Sequence, residues 1–479
     1  MTHHFAGLDG NRVTAPAAAP RDPDRLLPAE PRTRGIARAL YERVADAPIV
    51  SPHGHVPIDW LADDSPFPDP AALLVSHDHY VTRLLHASGI DLGSLGVGGT
   101  PADPREIWRH FADRQRLFAG TASGYWIEEE LSSVLGIASE LSASTADAVF
   151  DEIQAKLATP SFLPRALFER FGIDVLATTD DPLDTLAQHA ALAQSDLRGR
   201  VVPTFRPDRY LDPDSPSFDA DTARLLSATG EPTTFAGYLA ALEARREHFI
   251  RNGAVSADHG VEDPATFDLD RPEAEALFRT VVSGAADARQ RRVFRGHMLL
   301  QMARMSVEDG LVMTLHAGVV RNHSTRTFQR FGADSGHDIP RTTDFVAGLR
   351  PLLERFGLER DFHLVLFAVD ETVYSREVAP LAGFYPSVYI GAPWWFLDAP
   401  DAMARFRSAV TETAGFSRGS GFIDDTRAFL SIPARHDTAR RVDAGFLARL
   451  VAEGRLTEAV ASEIIDDIVG PQPKRVFKL

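Results

Sequence analysis

The sequence predicts a (β/α)8 barrel of the TIM type, carrying a helical insertion between its first and second strands. Three observations support this: eight short β-rich apolar runs, longer helical patterns between them, and a polar or glycine-rich cluster closing each run. The runs are Ile49 to His55, Ile173 to Asp181, Val201 to Pro207, Gly253 to Gly260, Leu311 to Gly318, Phe362 to Asp370, Val388 to Trp395 and Gly421 to Arg427. Several are apolar at consecutive positions, as in Leu364, Val365, Leu366 and Phe367, which suits parallel strands covered on both faces. Alternating strands and helices imply right-handed crossovers. Eight such units favour closure into a barrel over the competing doubly wound open sheet.

Each element has its own signal. Residues 1–32 are rich in Ala, Pro, Arg and Asp without a continuous apolar stretch, and read as an N-terminal extension rather than a secretory signal. The barrel proper is expected over residues 33–479. The interval from His55 to Ile173 is too long for one crossover helix. It carries helical patterns around Ala71 to Ser88, Pro104 to Phe118 and Tyr125 to Leu135, and is read as an insertion over the barrel mouth, at about 60–160. In Phe235 to Arg251 the apolar positions recur at helical spacing, Thr233 or Thr234 can cap the start, and Gly253 follows the end.

Composition sets outer limits. Hydrophobic residues make up 44% and charged residues 24%, ordinary values for a globular chain, and no run is long enough to suggest a membrane span. The absence of cysteine excludes disulfides and thiolate metal sites, and the cytoplasm is the expected compartment. A net charge of −17 argues against nucleic acid, which needs a basic footprint, but not against an anionic small molecule held in a local basic cleft.

The chemistry gathers at the predicted C-terminal strand ends, the face that holds the active site in barrel enzymes. His53 and His55 lie two apart on a strand, so both imidazoles point to one side and can share a cation. Alone the pair is a weak signal, since His77-Asp78-His79 is a second one. Barrel closure strengthens it. The eighth strand pairs beside the first, bringing Asp425 to the two histidines, and two imidazoles with one carboxylate suit Zn2+ or Mn2+ with open positions left for a substrate. His259 and His316, at the ends of the fourth and fifth runs, either complete the metal shell, contact substrate or pack in the core. The only lysines are Lys156, Lys474 and Lys478, none at a strand end, so a metal-bridging carboxylated lysine is ruled out and a single metal is favoured.

Taken in order, several motifs resemble the uronate isomerase family of the amidohydrolase superfamily. They are the strand-one H-x-H, Asp78-His79-Tyr80 with Arg83, Thr178-Thr179-Asp180-Asp181-Pro182, Arg206-Pro207-Asp208, Ser256 to Gly260, Leu315 to Gly318, Arg321-Asn322, Trp394-Trp395-Phe396 and Asp425 to Ser431. The likeness runs from about residue 30 to the C-terminus. It implies an aldose–ketose isomerase acting on a hexuronate, D-glucuronate to D-fructuronate and D-galacturonate to D-tagaturonate, through a cis-enediol.

Residue by residue, the resemblance implies His53, His55 and Asp425 as metal ligands. His79 and Tyr80 would face the reacting end of the substrate and Arg427 its hydroxyls, while Arg83, Arg165, His259, His316 and Trp394 are candidate substrate contacts. Asp425 is expected to take a proton from a substrate hydroxyl, and Tyr80 with Arg427 to stabilise the developing oxyanion and move a proton between O1 and O2. Thr82 stands where many members have Trp, and Ser51-Pro52 where an acidic-aromatic pair is common, which marks a divergent branch. Two other readings remain at this point: a mononuclear hydrolase such as a deaminase or lactonase, and a sugar-acid binding protein without catalysis. Self-association into a homo-oligomer is expected from the size of the barrel.

Overall fold

The computed structural model describes residues 21–479. The first twenty residues of the expected N-terminal extension therefore lie outside the described residues. A helix spans Pro31–Glu42, begun by Pro31 and capped by the Glu30 carboxylate on the backbone N–H groups of Arg32 and Thr33. Its Ala37 and Leu40 pack on Ala444, Leu447 and Ala448 of the long C-terminal helix Ile432–Ala452.

The strands are β1 (Ile49–Ser51), β2 (Ile173–Ala177), β3 (Arg200–Val202), β4 (Thr204–Phe205), β5 (Ser256–Val261), β6 (Val312–Ala317), β7 (Val319–Val320), β8 (Ile339–Pro340), β9 (Leu364–Ala368) and β10 (Val388–Ile390). One parallel sheet runs β1-β2-β3 and another β10-β9-β6-β5-β4, while β7 and β8 form a small antiparallel hairpin. A parallel bridge from Asp180 to Phe205 joins the two sheets. The ring closes through irregular chain: Gly419 bridges Ile390, the Ser420 N–H donates to the Ile390 carbonyl at 2.8 Å, and the His55 N–H donates to the Thr426 carbonyl at 3.0 Å. The arrangement is an α/β barrel with eight strand positions.

The first predicted run is shorter than expected: β1 ends at Ser51, before Pro52, which has no N–H for the ladder, so His53 and His55 stand in the loop beyond the strand. Two further runs differ for identifiable reasons. The third is split because Pro203 has no N–H to give the ladder. The eighth, Gly421 to Arg427, is not a regular strand: Gly421 at φ +77° and Asp425 at φ +43° occupy the left-handed region, which extended pairing does not tolerate. Its C-terminal part still lies beside β1.

Between β1 and β2 the chain forms helices His79–Ala87, Pro104–Asp113, Ala122–Glu129 and Ala146–Leu157 around a core that includes Trp108, Phe111, Phe118 and Ile153 and runs on into the barrel through Ile49, Ile173 and Leu176. The pattern over Ala71 to Ser88 is interrupted at Asp78, whose carboxylate caps the new helix on the Tyr80 N–H. That break places His79 and Tyr80 at a helix start, where both line the barrel mouth. The helix Phe235–Arg251 matches its predicted bounds, with Thr234 as cap. Among the described residues no helix is long and apolar enough to cross a membrane.

Candidate active site

At the C-terminal mouth of the barrel, His53 and His55 converge on one carboxylate oxygen. Asp425 Oδ1 stands 3.3 Å from His53 Nε2 and 3.0 Å from His55 Nε2. Such spacing suits a shared cation, since donors bound at about 2.1 Å in tetrahedral or octahedral geometry lie about 3.0–3.4 Å apart. Asp425 Oδ1 is buried yet receives no well-directed hydrogen bond from the described residues. A cation would satisfy it.

The electrostatics agree. Burial raises the cost of ionising Asp425, but the two imidazoles outweigh it and hold the carboxyl well below its ordinary range. For His53, burial favours the neutral ring, but the carboxylates of Asp258 and Asp425 reverse the balance and its pKa is raised. His55 goes the other way, down to about 4, because burial in the mouth exceeds the attraction of Asp425. The left-handed backbone at Asp425, costly for a non-glycine residue, lies at the residue where donors converge.

Behind this trio lies a second array. Asp258 accepts hydrogen bonds at 2.6 Å from Thr314 Oγ1 and, through the same oxygen, from His316 Nδ1, while its other oxygen is 3.3 Å from Arg206 Nη1 and 4.0 Å from His53 Nε2. His53, Asp258 and His316 could also gather round an ion. The Arg206 guanidinium already supplies positive charge to Asp258, however, and neither Asp258 nor His316 lines the cavity, whereas His55 and Asp425 do. His316 stacks on Phe367 at 4.1 Å and on His53 at 4.7 Å, which places it within the barrel behind His53, His55 and Asp425.

The cavity above the trio has a volume of about 480 Å³, room for a single sugar acid. Tyr80, His79, Arg427 and Trp394 line it, as do Arg206, Arg321 and Trp395. Arg427 Nη2 pairs with Asp334 Oδ2 at 3.1 Å, and Arg206 Nε with Asp208 Oδ2 at 2.8 Å. Burial, reinforced by Arg427, pushes His79 down to about 3, so its ring is neutral; among the described residues its Nε2 has no hydrogen-bond partner. Tyr80 is pushed well above the ordinary phenol value, first by burial and then by Asp398.

Four expected substrate contacts, His316 among them, do not line the cavity. Arg165 donates from Nε to the Leu61 carbonyl at 2.8 Å and from Nη2 to the Ala62 carbonyl at 3.0 Å, so it caps the helix Ile58–Asp63. Arg83 lies over the Phe396 ring at 4.6 Å. His259 shares β5 with Asp258 and therefore points to the opposite face, where Nδ1 is 3.0 Å from the Thr314 carbonyl. Sequence reading chose the histidine of this dipeptide when strand alternation, counted back from Gly260, would have selected the aspartate. Arg206 and Asp208 were visible as a strand-end motif, and Asp334 had no comparable signal.

Comparison with known proteins bears on these features. The family model for glucuronate isomerase matches residues 32–477. The uronate isomerase of Corynebacterium efficiens is 54% identical over 461 residues, covering 95% of this chain and 98% of the relative. The crystal structure of glucuronate isomerase from Caulobacter crescentus superposes with a TM-score of 0.94 at 47% identity, covering 96% of this chain and 97% of that one. That of uronate isomerase from Thermotoga maritima gives 0.90 at 28% identity, covering 96% and 100%. These likenesses favour an isomerase over the hydrolase and the non-catalytic binding protein. With its barrel and nearly its whole length in common with these proteins, the chain belongs to the glucuronate isomerase family and is an aldose–ketose isomerase.

Proposed function

We propose that this enzyme converts D-glucuronate to D-fructuronate and D-galacturonate to D-tagaturonate, at a single divalent cation held by His53, His55 and Asp425. The observation that carries the reading is the convergence of those three donors beside a cavity lined by two of them, His55 and Asp425, together with Tyr80 and Arg427. A bound cation supplies Lewis acidity, binding sugar-acid oxygens and making a hydroxyl proton easier to remove. Two imidazoles and one carboxylate suit Zn2+ or Mn2+.

The residues divide the remaining work. Asp425, ionised at neutral pH, is the base that takes the substrate hydroxyl proton. The substrate alkoxide so formed abstracts the C2 proton to yield a cis-enediol and returns a proton to C1, giving the ketose. Arg427 faces the developing oxyanion with a fixed positive charge, and Tyr80 moves a proton between O1 and O2. Neutral His79 offers a hydrogen bond without competing for that proton. Arg206 places a second guanidinium in the cavity for a carboxylate, and Trp394 walls the sugar face. His316 acts from behind, holding Asp258 against His53.

Residues 33–479 are read as one barrel domain bearing the helical insertion. The enzyme is assigned to the cytoplasm as a homo-oligomer without nucleic-acid or membrane partners, in keeping with its acidic charge. Incubating the purified protein with each uronate and either metal in deuterated water tests the activity: ketose forms, with deuterium exchange at the reacting carbon reporting proton transfer to solvent. Turnover of esters or amides with none of uronates would overturn it.

A further inference from the structure

Tyr80 owes its place to a buried group that the reaction scheme above does not use. Its hydroxyl lies 3.2 Å from Asp398 Oδ2, the only hydrogen-bond partner it has among the described residues. The same oxygen takes Arg435 Nη1 at 2.7 Å. Arg435 also donates from Nε to Ser431 Oγ at 3.0 Å and from Nη1 to the Asp424 carbonyl at 3.3 Å. Its guanidinium lies over the Trp126 ring at 3.6 Å from the centroid and over Tyr80 at 5.2 Å. Asp398, Arg435 and Trp126 are each no more than 3% exposed. One guanidinium thus ties together three parts of the chain: the insertion through Trp126, the segment after β10 through Asp398, and the carbonyl preceding Asp425.

Such a network has a chemical use beyond packing. A phenol that moves a proton between two substrate oxygens must accept and donate within one turnover, and therefore needs a fixed direction and somewhere to rest its own proton. We propose that Asp398 is a positioning residue for Tyr80, aiming the phenol oxygen into the cavity and receiving its proton while that oxygen holds the substrate's. The Tyr80 O–H bond breaks as an O–H bond forms on Asp398 and the substrate O2–H bond breaks as a new one forms on Tyr80; in the return step Tyr80 gives its proton to O1 as it takes one back from Asp398, with no net proton consumed. Burial raises the Asp398 pKa to about 7 against the pull of Arg435, so its two protonation states lie close in energy near neutrality. The inference rests on the isomerase role given to Tyr80.

A double-mutant cycle of Tyr80→Phe and Asp398→Asn, assayed on D-glucuronate with bound metal measured in each variant, tests it. Asp398→Asn is expected to lower kcat by about tenfold or more, with KM within about threefold and metal content unchanged. The double variant should be within about threefold of Tyr80→Phe alone, because both changes remove one relay. Losses that multiply, or an Asp398→Asn effect confined to KM or to metal content, overturn the role of Asp398 and leave that of Tyr80 standing. Full kcat in Tyr80→Phe removes both roles. Should Asp398→Asn not fold, Asp398→Glu keeps the charge beside Arg435 while displacing the oxygen from the phenol, and the same non-additivity is expected of it.

Discussion

The two imidazoles proposed to bind the metal should titrate separately, and acidification separates them. Metal requires both rings neutral, so protons compete for the site wherever a ring is protonated without the cation. His53 starts above its ordinary value of 6.5 because Asp258 and Asp425 overcome the effect of its burial, while His55 is down at about 4. Between pH 6 and pH 5 only His53 then holds a proton that metal must displace, and affinity should fall about tenfold, or ~1.4 kcal/mol. Two imidazoles of ordinary pKa near 6.5 would together cost about sixtyfold over the same interval. The direction is fixed: affinity is greatest above the His53 pKa and declines as pH falls through it, with a second proton entering only near pH 4. Competition against a chelator of known proton affinity, with Zn2+ or Mn2+, reads this slope. A loss near sixtyfold, or none, would refute the asymmetry between the rings and with it the influence of Asp258 on His53.

Further tests address individual side chains. Asp425→Asn should reduce kcat by about 10²–10⁴-fold, the range for loss of a general base, while uronate binding stays detectable by calorimetry; near-parent turnover would remove its assignment as base. Gly260→Ala should raise KM for uronate more than it lowers kcat, because the new methyl would lie 2.8 Å from Arg206 Nη2 and 2.9 Å from Asp208 Oδ2 and must displace the guanidinium in the cavity. An unchanged KM would remove Arg206 from substrate binding. Arg165→Ala should leave KM alone and lower Tm, at a cost of about 1–3 kcal/mol for two carbonyls deprived of their donors; a raised KM with unchanged Tm would restore it to the site.

Much of the catalytic geometry could be anticipated because it depends on chain-local rules plus one topological step. The strand rule that side chains two apart share a face paired His53 with His55, which do meet at Asp425 although both lie beyond the end of β1, and closure of a parallel ring sets the eighth position beside the first. Neither inference needed the eighth run to be a regular strand. The left-handed turn at Asp425 was invisible, since φ depends on what the neighbouring chain permits and the pattern of residue types around position 425 carries no mark of it.

Side chains whose partners lie far along the chain could not be assigned this way. A long arginine can reach a substrate or fold back on a carbonyl with equal chemical sense, and Arg165 folds back only because the end of the helix Ile58–Asp63 lies against it. Asp398 and Arg435 are 37 residues apart and carry no motif, yet they meet Tyr80, 318 positions from Asp398, in a pocket closed by Trp126. Periodicity and residue type report the face a side chain occupies and the chemistry it could perform. Which groups are desolvated together, and hence which charges must pair and which pKa values must move, depends on packing between segments distant in the chain.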